Sequence, residues 1–114
     1  SPGGYSAHTP NNDLGVITPT AALSSFPYTP EESMRAARHF YDKGERYRGK
    51  YGFYDAFSDQ QNWVLPRYLA IDQLTIAPMI ENHRSGLLWS LFMGAPEIQE
   101  GLKKLGFTTS NTPQ

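Results

Sequence analysis

Residues 72–94 read DQLTIAPMIENHRSGLLWSLFMG. On a helix over about 73–93, Leu74, Ile76, Met79, Ile80, Leu87, Leu88, Trp89, Leu91 and Phe92 fall on nearly every side. A helix apolar all round is normally enclosed by neighbours. Glu81 is the exception, because it shares a face with Leu74, Ala77, Pro78, Leu88 and Phe92. A carboxylate there must find a partner. Arg84, three residues on, is within reach, so a structural ion pair is expected. Pro78 limits how far upstream the helix runs undisturbed. Gly94 ends it, Pro96 opens a further helix over about 96–105, and Gly106 stops that one.

Moving outward, two upstream segments open with the same signal. Thr18-Pro19 precedes TAALSSF, and Thr29-Pro30 precedes EESMRAARHFYDK. Thr can cap a helix, and Pro at the first helical position loses nothing by its missing N–H. Thr29 and Glu32 have the spacing of a capping box. Helices are therefore predicted over 19–26 and 30–43, the second amphipathic through Met34, Ala37, Phe40 and Tyr41 and stopped by Gly44. The chain reads as apolar helix, amphipathic helix, long aromatic loop, apolar helix, amphipathic helix. These are two αα-hairpins with inner and outer members, and strand signals are poor. The tail 108–114 is expected to be disordered.

Composition narrows the function. The chain has 114 residues and net charge −1, which gives no electrostatic case for nucleic acid or an anionic membrane. The densest basic run, 43–50, carries Glu45 in its middle and reads as a solvated turn. No apolar run approaches the roughly 20 residues of a membrane helix. The absence of Cys excludes thiol nucleophiles and zinc-thiolate sites. His8, His39 and His83 lack metal-site spacing. No nucleophile elbow, phosphate loop or dinucleotide glycine motif is present. No metal or cofactor is expected. An enclosed helix needs more neighbours than two outer helices supply. Together with the start at Ser-Pro-Gly-Gly-Tyr, without Met, this suggests a portion of a larger domain.

The loop between the hairpins carries the candidate chemistry. Tyr47, Tyr51, Phe53, Tyr54, Phe57, Trp63 and Tyr68 lie within it. A loop this long is usually functional or disordered, and the rings argue against disorder. Flat rings alternating with single carboxylates and amides suit a carbohydrate surface. Equally, the rings could plug the loop onto the helices. Trp63, beside the polar turn 59–62, is the ring most expected at a ligand. Asp55 either bonds sugar hydroxyls, acts as an acid with a raised pKa, or merely stabilises a turn. Asp72-Gln73 is either a helix cap or a ligand group at the mouth of a pocket. His8 is loop-borne and a candidate for substrate contact.

Geometry removes one pairing. Asp72 and Glu81 on one helix stand about 13 Å apart, whereas glycosidase carboxyl pairs stand roughly 5–9.5 Å apart. Asp55 with Asp72 remains open if the loop folds back.

GGYSAH, GVITPTAALSSFPYTPEE, YGFYDAF, YLAIDQ and IENHRSGLLWSLFM, in that order, resemble the C-terminal part of the glycoamylase-like family. That family includes proteins labelled glucoamylases and bacterial β-1,2-glucanases, and a related domain occurs in cyclic β-1,2-glucan synthases. The resemblance runs from about Gly4 to Phe107. It implies an all-α fold, in which residues 1–107 are the last two hairpins of a single (α/α)6 toroid. Helix 73–93 would then belong to the inner ring and 30–43 to the outer.

The same resemblance implies a glycoside hydrolase acting on a glucan, with β-1,2-linked glucose the best guess, in a periplasmic or secreted bacterial setting. It places the cleft where loops 1–18 and 44–72 enter the inner helices. His8, Tyr54, Asp55, Trp63, Asp72 and Gln73 would line it, with Asp55 and Asp72 the candidate acids and at least one further acid outside this chain. The family pattern there reads YLGIDQGP, whereas this chain has Ala70, Leu74 and Thr75, which narrows the approach to Asp72. The implied partners are a glucan or oligosaccharide and the remainder of the catalytic domain. Two alternatives remain at this point: a non-catalytic carbohydrate-binding module, and a helical fragment whose rings only pack.

Overall fold

The structure, a computed structural model, describes residues 3–4 and 8–107. The tail 108–114 lies outside the described residues, as do 5–7. Five α-helices frame the chain: α1 Pro19–Leu23, α2 Pro30–Asp42, α3 Ala70–Ser85, α4 Leu87–Met93 and α5 Pro96–Lys104. Helices α1, α2 and α5 all begin on proline. The capping box at Thr29 does not form. The Thr29 hydroxyl instead turns back to donate to the Ser25 carbonyl at 3.3 Å, and Glu32 pairs with Arg35 at 3.3 Å.

The all-α expectation is corrected by the loop. Residues 48–65 form two small antiparallel hairpins: β1 Arg48–Gly49 with β2 Gly52–Phe53, and β3 Ala56–Ser58 with β4 Trp63–Leu65. The fold is helix-rich with two two-stranded sheets. The strands are too short for period-2 alternation to show, so the turns carried the usable signal. Asn62 adopts φ 50° and its N–H reaches the Asp59 carbonyl at 3.2 Å, closing the β3–β4 turn.

The expected helix 73–93 is two helices. It begins earlier, at Ala70, and continues through Pro78. The first turn contains Asp72, whose carboxylate suits the positive end of a helix. Gly86 breaks the run with φ 67° and ψ 14°, a left-handed conformation that glycine adopts without a Cβ clash. Asn82 bridges the break. Its Oδ1 accepts from the backbone N–H groups of Leu88 at 3.0 Å and Trp89 at 3.1 Å. Those are orphan donors at the start of α4, which explains why a polar Asn82 is buried. Glu81 pairs with Arg84, through Nε at 2.9 Å and Nη2 at 3.2 Å.

The core is small. Phe40 of α2, Tyr47 and Phe57 of β3 meet in it, with the Tyr47 and Phe57 rings stacked at 4.1 Å and Phe40 edge-on to Phe57 at 5.6 Å. The Tyr47 hydroxyl donates to the Asp59 carboxylate. By contrast α3 and α4 leave apolar side chains open: Ile71 is 77 %, Leu74 70 % and Phe92 60 % exposed. The Cα radius of gyration is 17.8 Å, against about 13 Å for a compact chain of this length. Among the described residues no helix is long and apolar enough to cross a membrane.

Candidate functional site

The loop folds back. Asp55 sits just before β3, with its backbone N–H donating to the Arg67 carbonyl at 3.0 Å. Its side chain is buried at 4 % exposure and is hydrogen-bonded to the carboxyl group of Asp72. Two carboxyl groups can share such a bond only if one keeps its proton. Below about pH 6 Asp55 keeps it: burial, the hydrogen bond to Asp72 and the charge of Asp72 push its pKa up to about 6. The Oδ1 atom of Asp55 is buried and has no hydrogen-bond partner among the described residues. An orphaned acceptor beside a retained proton is an unusual arrangement for a mere turn residue.

Three tethers surround this contact. From α3, the Gln73 amide Nε2 donates to the Phe53 carbonyl at 2.9 Å, two residues before Asp55. From the segment leading into α1, Ile17 and Phe57 exchange backbone hydrogen bonds of 2.8 and 2.9 Å, two residues after Asp55. From α1 itself, the Thr20 hydroxyl donates to the Asp72 carbonyl at 2.5 Å. Thr75 donates to the same carbonyl at 2.9 Å, and its Oγ1 lies 2.8 Å from the Ser24 hydroxyl. Asp55 and Asp72 therefore sit inside a closed triangle of α1, α3 and the hairpin loop.

Tyr54, immediately before Asp55, belongs to a second group of rings. Its ring lies 5.5 Å from Tyr68, and Tyr51 stands edge-on to Tyr68, also at 5.5 Å. Both the Tyr54 and Tyr68 hydroxyls converge on Gly49. A Cβ there would lie 2.8 Å from the Tyr54 oxygen and closer still to that of Tyr68, so any larger residue would make the two tyrosine hydroxyls shift. Tyr51 is 69 % exposed. The seven loop rings thus divide: Tyr47 and Phe57 are core with Phe53 packed against them, Tyr51, Tyr54 and Tyr68 form a partly open cluster beside Asp55, and Trp63 belongs to β4.

Trp63 and His8 make separate contacts. Trp63 pairs with Ser58 at the turn end of the β3–β4 hairpin, about 10 Å along the strand from Asp55. His8 Nδ1 lies 3.1 Å from Asp13 Oδ1, and that carboxylate also accepts from the Gly15 N–H at 2.8 Å. Gln73 is half-buried, its amide engaged with the loop rather than held out to solvent. The hydroxyls of Thr20, Ser24 and Thr75 were not foreseen from sequence. Thr20 and Ser24 lie some fifty positions from Asp72 and Thr75 in sequence, and no local pattern links the two pairs. Among the described residues no three His, Asp or Glu side chains gather as a metal site.

A groove of about 990 Å³ runs between α1, α2 and α3, lined by Leu23, Phe26, Phe53, Gln73, Ile76 and Ile80 among others. Neither Asp55 nor Asp72 lines it. Its walls are apolar, which suits a packed helix better than a hydroxyl-rich sugar.

Comparison with known proteins fixes the relationship. Residues 1–96 match the family Glycoamylase, described as "Putative glucoamylase". The chain belongs to this family. The match ends where α5 begins, although the structural likeness extends further. The glycoamylase chain is 47 % identical over 97 residues to an exo β-1,2-glucooligosaccharide sophorohydrolase (non-reducing end) of Parabacteroides distasonis, covering 84 % of this chain and 14 % of that protein. Its structure superposes on a "putative glucoamylase" of Bacteroides fragilis with TM-score 0.90 at 56 % identity, covering 97 % of this chain and 27 % of that one. It also superposes on an endo-β-1,2-glucanase of Chitinophaga pinensis, solved with sophorotriose and glucose. There the TM-score is 0.84 at 62 % identity, over 92 % of this chain and 26 % of that one. The chain thus spans about a quarter or less of each relative's length.

Proposed function

We propose that this chain is the C-terminal portion of a glycoside hydrolase domain that cleaves β-1,2-linked glucan or glucooligosaccharides. The single observation that carries the reading is the buried contact between Asp55 and Asp72, set beside an open tyrosine cluster. Support comes from relatives whose names specify β-1,2-linked substrates. The two carboxyl groups lie within hydrogen-bonding reach of one another, whereas the acids flanking a glycosidic bond stand roughly 5–9.5 Å apart. Asp55 and Asp72 therefore act as one unit sharing a proton, and not as the two opposed members of a catalytic pair. Asp72 is the more exposed of the two and is assigned the contact with substrate, while Asp55 holds the proton behind it.

The second acid comes from the part of the domain outside these 114 residues. Hydrolysis breaks one C–O bond, adds water, and returns a proton to the leaving sugar oxygen. The shared proton serves one side of that exchange and the absent acid the other. Tyr54, with Tyr51 and Tyr68, supplies flat faces for glucose rings, and His8 and Trp63 line the outer cleft. The domain is an (α/α)6 toroid, with α3 and α4 in the inner ring and α2 in the outer. The apolar groove and the open faces of α3 and α4 are covered by the toroid's other helices.

The test uses the full-length protein and β-1,2-glucooligosaccharides. Asp55→Asn and Asp72→Asn are each expected to lower kcat by about 10²–10⁴-fold. Wild-type turnover in either variant would overturn the site. Binding of the same sugars without any hydrolysis by the full-length protein would favour a non-catalytic module instead.

A further inference from the structure

Resting on the reading above, we propose that Thr20 and Gln73 are positioning residues that set the contact between Asp55 and Asp72 from opposite sides. Each carboxyl group hangs from a different element, so their separation is decided by how the hairpin loop, α1 and α3 are joined. Gln73 follows Asp72 directly and grips the Phe53 carbonyl at 2.9 Å. That bond fixes the loop on the N-terminal side of Asp55. The Ile17–Phe57 exchange fixes it on the C-terminal side and ties it to the approach to α1. Thr20 then closes the triangle, from the second position of α1, by donating to the backbone carbonyl of Asp72 at 2.5 Å.

The hydroxyl protons can be assigned without conflict. Thr20 donates to the Asp72 carbonyl, Ser24 donates to Thr75 Oγ1, and Thr75 donates to the Asp72 carbonyl as well. Every hydroxyl uses its one proton once, and the first turn of α3 is held against α1. Gln73 commits one amide N–H to the loop.

A positioning role predicts a specific kinetic pattern. In the full-length protein, Thr20→Val and Gln73→Met are each expected to lower kcat about tenfold, while KM changes by less than about twofold. Thr20→Ser keeps the hydroxyl and is expected to restore turnover to near wild type. Asp72→Asn is measured alongside. If Asp72→Asn abolishes turnover while Thr20→Val and Gln73→Met retain wild-type kcat, the positioning proposal is overturned and the site survives. If Gln73→Met instead raises KM at unchanged kcat, Gln73 binds substrate and the proposal is wrong for it. If Asp55→Asn and Asp72→Asn both keep full activity, it is the underlying site that fails. Melting temperatures are recorded for each variant. Because the two tethers are read independently, loss of folding in one leaves the other to decide.

Discussion

Asp55 concentrates the chemistry of this chain at the level of a single residue. Its carboxyl is buried, hydrogen-bonded to Asp72 and held up at a pKa of about 6, from an ordinary value of 3.8. The folded state therefore binds a proton that the unfolded chain releases between about pH 4 and 6. The stabilisation is fully present below the unfolded value and is lost as pH rises through the folded value. The loss is on the order of 1–3 kcal/mol for a shift of this kind. Thermal unfolding of the full-length protein from pH 4 to 7 is expected to show stability declining across that window. In Asp55→Asn the decline should flatten, because nothing remains to ionise at that position. Parallel curves for the two proteins would place the proton elsewhere. Glu81 behaves in the opposite sense: hydrogen bonds from Ser85 and Arg84 hold its carboxyl below the usual range, as befits a surface ion pair and not an acid.

Between elements, the decisive feature is the break at Gly86. One continuous helix would carry α4 straight on from α3. The left-handed glycine turns it, and Asn82 satisfies the N–H groups of Leu88 and Trp89 that the turn would leave bare. Removing that side chain takes the acceptor from two backbone donors at the start of α4. Asn82→Ala is expected to cost about 0.5–2 kcal/mol in denaturant unfolding, as for a lost helix cap. Asn82→Asp, which keeps the acceptor, should recover most of it. The hairpins show the same economy of parts. Two- and three-residue strands cannot stand alone, and they persist because Tyr47 and Phe57 anchor them to Phe40 of α2.

Taken whole, the molecule is extended, about 50 Å by 30 Å by 24 Å, and poorly covered. Leu74, Leu91 and Phe92 are each at least 60 % exposed, and an apolar groove of about 990 Å³ lies open between α2 and α3. Surfaces of this kind mark an interface. The 114 residues expressed alone are expected to self-associate in sedimentation velocity. Co-expression with the rest of the domain should suppress that association and yield one stable species. A clean monomer of the isolated chain at high concentration would show that its apolar faces need no cover.

The order of the helices, the proline starts of three of them and the Glycoamylase family were legible in the residues themselves. They depend on local rules: 3.6-residue periodicity, the missing proline N–H, and blocks of sequence shared with relatives. The same periodicity overran Gly86, because an apolar stripe continues across a glycine that costs little until its φ turns positive. The two hairpins were hidden because strands of two or three residues are too short to show a period. Asp55 and Asp72 were each visible as candidates, but their contact was not. Neither were the hydroxyls of Thr20 and Ser24, which meet Asp72 and Thr75 of α3 across some fifty positions of chain. Sequence by itself determined which groups carry charge, rings and caps. Only the tertiary structure decided which of them touch, because burial and proximity to Asp72, and not the identity of Asp55, are what keep a proton on that carboxyl.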